Sequence, residues 1–393
     1  MKHRPFWLSW PACWLALVAF SCAAAPYRPQ SGSEVVTTVP LRAEAPELAQ
    51  LRRRLAASPY DLDTALALAR RYIALGRAET DPRYFGHAQA ALAPWWPRAD
   101  APPAVRLLRA MLLQSGHQFG AALADLEAVT ISQPANAQAW LTQAVVQSVR
   151  GDAEGATASC ARLAPLTDQL AAFTCLAAAG VNTARIVPAE RLLEATLARS
   201  DGSPSELRVW ALTVLAEMAA RRGAADVAEQ RFRAALVLAP RDSYLLGAYA
   251  DFLLDARRPV DVLALLREQG RIDALLLRSA LALRQVGERT ALAAARDELQ
   301  ARFDAAARRG DRVHLREEAR FTLHLQGDAG AALALAKQNW QVQKELADLR
   351  LLLEAGLAAR DARATQAALD WIGRNGTQDV QLAALVRQAK ARQ

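Results

Sequence analysis

Gly223–Pro240 reads GAADVAEQRFRAALVLAP, and the spacing within it decides the fold. Gly223, Ala228, Phe232, Ala235 and Pro240 fall at steps of 5, 4, 3 and 5. The glycine breaks one helix, the small Ala228 lets the next pack close to it, and Pro240 ends that second helix. Upstream, Trp140 and Ala144 lead to Gly151, Ala156 and Cys160, the last three again at steps of 5 and 4. Two segments of the chain therefore read as the same helical hairpin.

Working outward, helical signals fill the chain from residue 47 almost to its end. Leu48, Leu51 and Leu55 repeat at helical spacing, and residues 61–75 form a second helix ending at Gly76. Ala88, the close-packing residue of the next helix, follows Gly76 by twelve residues, so that unit has a longer connection. Later units turn at Gly287 and at Gly327-Asp328, and a last pair turns near Asp361. Ser203-Pro204-Ser205-Glu206 reads as a helix start, with Ser203 and Glu206 forming a capping box. Residues 378–391 read as a single closing helix with Val380, Leu385 and Val386 inward.

This pattern resembles the tetratricopeptide repeat, a unit of about 34 residues made of two antiparallel helices. The resemblance is carried best by residues 136–165 and 207–240, and also by 104–134, 242–270 and 314–340. Asp81–Trp96 and Asn339–Ala359 are also similar to stretches of exported proteobacterial repeat proteins of unassigned activity. The resemblance implies an all-α fold: a right-handed α-solenoid of about nine hairpins over residues 47–391, closed by a capping helix. In that family the first helix of each hairpin lines a concave surface that takes peptides or partner helices. Carried over, the groove residues are Gln138, Thr142 and Val145, then Trp210, Thr213, Glu217 and Arg221, then Tyr244, Gly247, Asp251 and Asp255. Cys160 and Cys175 fall on neighbouring helices of such a solenoid. A disulfide between them is expected, and two small buried residues are the alternative.

The N-terminus reads as an export signal over residues 1–25. Lys2, His3 and Arg4 precede an apolar run from Phe6 to Phe20 and small residues at 21–25. An uncleaved anchor is the alternative, although the run is short for a membrane span. Ala19-Phe20-Ser21-Cys22 ends like a lipobox, which makes Cys22 a candidate lipidation site, with plain cleavage after Ala23 or Ala24 as the rival. Residues 26–46 read as a flexible leader. The protein is expected in the periplasm, tethered to a membrane only through Cys22 or an uncleaved signal.

Composition excludes more than it assigns. The net charge is +8, and the 48 basic residues, some of them in arginine pairs, are spread along the chain, unlike the one-sided patch of a nucleic-acid binder. The five histidines form no HExxH pattern, and His314 with Glu317 and Glu318 lacks a second ligand set. No nucleophile elbow, phosphate loop or dinucleotide fingerprint occurs. No catalytic, metal or cofactor residues are assigned. The expected function is a non-catalytic protein- or peptide-binding scaffold of the bacterial envelope. A structural bridging subunit of an envelope or export machine is the alternative, and an enzyme would need a polar constellation that the sequence does not display.

Overall fold

The structure, a computed structural model, describes residues 31, 46–180 and 186–391. The expected signal 1–25 with Cys22, and nearly all of the leader 26–46, lie outside the described residues. The body from Glu47 to Gln393 is one compact unit.

Helix α1 (Pro46–Ala57) precedes nine consecutive hairpins among the described residues. The first four are α2 (Leu62–Glu79) with α3 (Arg83–Ala91), α4 (Pro103–Ser115) with α5 (Phe119–Ser132), α6 (Ala137–Val149) with α7 (Ala153–Leu163), and α8 (Gln169–Gly180) with α9 (Ile186–Leu197). Then come α10 (Ser205–Arg221) with α11 (Ala225–Leu238), α12 (Ser243–Asp255) with α13 (Pro259–Leu265), and α14 (Asp273–Val286) with α15 (Arg289–Arg308). The last two are α16 (Leu315–Phe321), continued by a π-helical turn over Thr322–Gln326, with α17 (Ala329–Val342), and α18 (Leu346–Ala358) with α19 (Ala362–Asn375). Helix α20 (Val380–Lys390) closes the array. The chain is an all-α solenoid.

The hairpins share one turn. A residue with left-handed backbone stands just before the second helix in eight of them: Thr80, His117, Gly151, Gly223, Arg257, Gly287, Gly327 and Arg360. Only glycine enters that region freely, so the reversal is built in at Gly151 (φ 79°) and Gly223 (φ 78°) and strained where arginine or histidine stands. Asp152, Asp328 and Asp361 follow this residue directly, and their side chains accept from the amides of Gly155, Ala331 and Ala364. Such caps contribute about 1 kcal/mol each. Ala156, Ala228 and Ala332, placed for close packing, are fully buried, and Phe232 stacks on Tyr249 at 5.1 Å between ring centres.

Two local expectations are corrected. The capping box at 203–206 does not form: Pro204 stands at the N-cap of α10, and Ser203 donates instead to Asp168 at 3.4 Å. In α20, Asp379 caps the amides of Gln381 and Leu382. This sets the helix phase so that Leu382 is buried and Val380 is 41% exposed. Leu385 and Val386 do pack inward, partly buried.

The superhelix comes round onto itself. Arg271 Nη2 donates to the Glu79 carbonyl (3.1 Å) and Thr80 Oγ1 to Ser243 Oγ (3.3 Å), pairs 192 and 163 residues apart. The Lys344 amide donates to the Val149 carbonyl at 2.7 Å. That carbonyl is one of the four that the C-terminus of α6 leaves without an intrahelical partner. Ring carbons of Trp371 lie 2.9 Å from where a Cβ on Gly151 would stand. Glycine is thus required at 151 twice, by the turn and by the packing.

Candidate functional site

The first helices α10, α12, α14, α16 and α18 bring their inward side chains into one polar seam. On α12, Asp251 accepts from Arg278 Nη2 of α14 (2.5 Å) and from Arg320 Nη1 of α16 (2.7 Å). One turn further on, Asp255 is gripped by both terminal nitrogens of Arg350 on α18, at 2.7 and 2.8 Å. The Arg350 Nε donates to Glu354 Oε1 (2.8 Å), whose other oxygen lies 3.0 Å from His324 Nε2. His324 sits in the π-helical turn, a local widening that often marks functional positions. Side chains of α12 therefore reach two and three hairpins onward, which only a tightly curved concave face allows.

The electrostatics follow from this pairing. Burial works against the charge of Asp251, but Arg278 and Arg320 outweigh it and hold the carboxyl down at about 2. Burial likewise opposes Glu354, yet the hydrogen bond from His324 and the Arg350 charge bring it to about 2. These are committed ion pairs.

The seam is less closed between α10 and α12. Tyr244 is 65% exposed, and its hydroxyl donates to Glu217 Oε1 at 2.9 Å. The Glu217 charge beside it holds the phenol well above its ordinary value. Burial raises Glu217, against the pull of Arg221. Arg221, at the end of α10, is lowered by burial and feels the opposing charges of Glu217 and Asp379.

Of the sequence-derived groove residues, Glu217, Arg221, Tyr244, Asp251 and Asp255 are brought together. Gln138 is exposed on α6, remote in sequence from that cluster. Thr142 and Thr213 are corrected. Both are buried, and their hydroxyls donate to the carbonyls of Gln138 (2.8 Å) and Val209 (2.7 Å) in their own helices. Val145 and Trp210 are half-buried, and Trp210 packs between the α8–α10 layer and the cluster that holds the cysteines. Gly247 is buried and gives its carbonyl to Arg278 Nε at 3.0 Å.

Arg278, Arg320, Arg350, His324 and Glu354 were not legible as site residues. The available signal was recurrence: an arginine on each successive first helix, α14, α16 and α18. Cys160 and Cys175 are joined by a disulfide, with Cα atoms 5.6 Å apart. Among the described residues, no three His, Cys, Asp or Glu are grouped to hold a metal ion, and no helix is long and apolar enough to cross a membrane.

No family model and no curated protein matches the chain. Among solved structures it is similar to the human IFIT1 dimer with m7Gppp-AAAA, at 14% identity and a TM-score of 0.48, over 86% of each chain. A Rap protein complexed with competence and sporulation factor matches at 12% identity and TM-score 0.48, over 88% of this chain and 95% of that one. A tetratricopeptide repeat protein from Parabacteroides merdae matches at 15% identity and TM-score 0.40, over 59% and 92%. With its consecutive hairpins, shared left-handed turns and buried alanines between helices, the chain is an all-α solenoid of repeated helical hairpins.

Proposed function

We propose that the protein acts by binding, as a scaffold of the bacterial envelope that takes a protein or peptide on its inward surface at the α10–α12 step. The observation that carries this reading is Tyr244: a large aromatic, 65% exposed, on an inner face whose other charged groups are tied to one another. An exposed aromatic flanked by Glu217 and Arg221 offers contact area together with both charge signs, the combination that anchors a mixed-charge segment. The envelope placement is supported by the signal-like N-terminus and by the disulfide, a bond that persists in oxidising compartments.

The test is site-specific photocrosslinking in cells, with a photoreactive amino acid at position 244 and, as control, at Val237 on the outer helix α11. A discrete adduct from 244 that is absent from 237 is expected. Adducts from 237 alone would move the binding surface to the outside of the solenoid.

A further inference from the structure

The joint between the α6–α7 turn and the α17–α18 connection is built differently from the hairpin interfaces. On its downstream side the connection Gln343–Glu345 is pinned to its own hairpins. Arg316 binds both Glu345 and Asp348, Asn339 Nδ2 donates to Asp348 Oδ1 (2.7 Å), and Gln343 Nε2 to Asn339 Oδ1 (2.8 Å). On its upstream side, the disulfide ties α7 to α8. Two stiff bodies thus meet along a narrow strip: the Lys344–Val149 main-chain bond, Val342 against the α4–α6 cluster, Trp371 and the Lys344 side chain over Gly151, and Val380 of α20 against Gly223. The other polar bonds along the same seam, Thr80 to Ser243 and Arg271 to Glu79, are exposed to water. Burial, then the like charge of Arg150, also disfavour the ammonium of Lys344 at this joint.

We propose that this joint is a latch: it holds the superhelix closed and releases as a unit, letting the downstream hairpins swing from α6–α8 without unfolding. Solenoids distribute such motion over their nearest-neighbour interfaces, and local opening with less free energy than global unfolding is the expected behaviour of a thin contact between stiff parts. The proposal does not depend on the binding role.

Hydrogen exchange of the full chain tests it. In the wild type, the peptide containing the Lys344 amide should exchange at least about tenfold faster than peptides from the buried face of α10, since sub-global opening exposes the first and not the second. Trp371→Ala should speed the Lys344 peptide by about a further tenfold and leave α10 unchanged, with a larger radius of gyration in solution scattering. Lys344→Met, which keeps the methylenes and removes the disfavoured charge, should slow that exchange. Equal protection of the Lys344 and α10 peptides in the wild type would overturn the latch. So would an equal acceleration everywhere in Trp371→Ala, which would make the joint ordinary core. If Trp371→Ala does not fold, the wild-type rates and the Lys344→Met effect decide the matter without it.

Discussion

The α6–α8 region and the α12–α18 region are built from the same hairpin yet fastened by different means. In α6–α8 the bond between helices is covalent, Cys160 to Cys175, set among Ala144, Ala156, Leu163 and Ala179. In α12–α18 no such bond exists, and carboxylates on one first helix hold guanidiniums on the next three. Repeat architecture therefore fixes the spacing of helices, and the inward residues decide whether a stretch of concave face stays open or is drawn together.

The largest effect should come from the buried polar node of the second region. Asp348 is 1% exposed and holds Arg316, Asn339 and the Glu345 amide. Asp348→Ala leaves Arg316 without its buried partner and should cost about 3–5 kcal/mol, read as a lower urea midpoint. A loss under about 1 kcal/mol would mean the node is as dispensable as a surface pair.

Reduction should strike the first region instead. The disulfide closes a sequence separation of 15 residues. Its loss should cost about 3 kcal/mol in the chain-entropy account, with added hydrogen exchange confined to α7 and α8. If protection falls first in α12–α18, the assignment of fastenings is wrong.

Acid should strike the second region. The folded values of Asp251 and Glu354 are depressed to about 2 from 3.8 and 4.5. A depressed carboxylate contributes stability that is present above its unfolded value and lost as pH falls through the folded one. The loss should therefore run from about pH 4.5 to 2 and amount to about 2–3 kcal/mol per group. Glu354→Gln should flatten that part of the curve, and an unchanged acid limb in the variant would reject the pairing.

The smallest effect is a gain. Arg360 holds φ 54° at a turn where Gly151 and Gly223 do the same without strain. Arg360→Gly should stabilise by about 0.5–1 kcal/mol, relief of left-handed strain offset by glycine's unfolded-state entropy. A loss at this position would show that the arginine side chain contributes more than its backbone costs.

The same turn explains how far the sequence could be read. Gly151, Gly223 and Gly327 announced their hairpins, because glycine is the residue whose presence predicts a left-handed reversal. His117, Arg257 and Arg360 adopt the same backbone without glycine, so composition does not display the reversal there, and those hairpins were legible from helical periodicity and neighbouring turn residues instead. Cys160 and Cys175 were legible as a pair because adjacent helices are fixed by the repeat alone. Asp251 and Asp255 were legible as inward positions, but their partners 27, 69 and 95 residues away depend on superhelical curvature. Thr142 and Thr213 failed for a local reason. A threonine hydroxyl within a helix has its own backbone carbonyl in reach, and both took it.

The bond from Lys344 to Val149 also makes this solenoid keep count. An open array can gain or lose a hairpin and remain the same kind of object, since each unit answers only to its neighbours. Here residue 344 must arrive opposite the end of α6, and Trp371 must arrive over a glycine. Inserting one hairpin between Gly151 and Lys344 would carry both past their places by a whole unit. The number of repeats in that interval is thereby fixed by geometry, and the tolerated places for a longer chain are ahead of α2 or beyond α20.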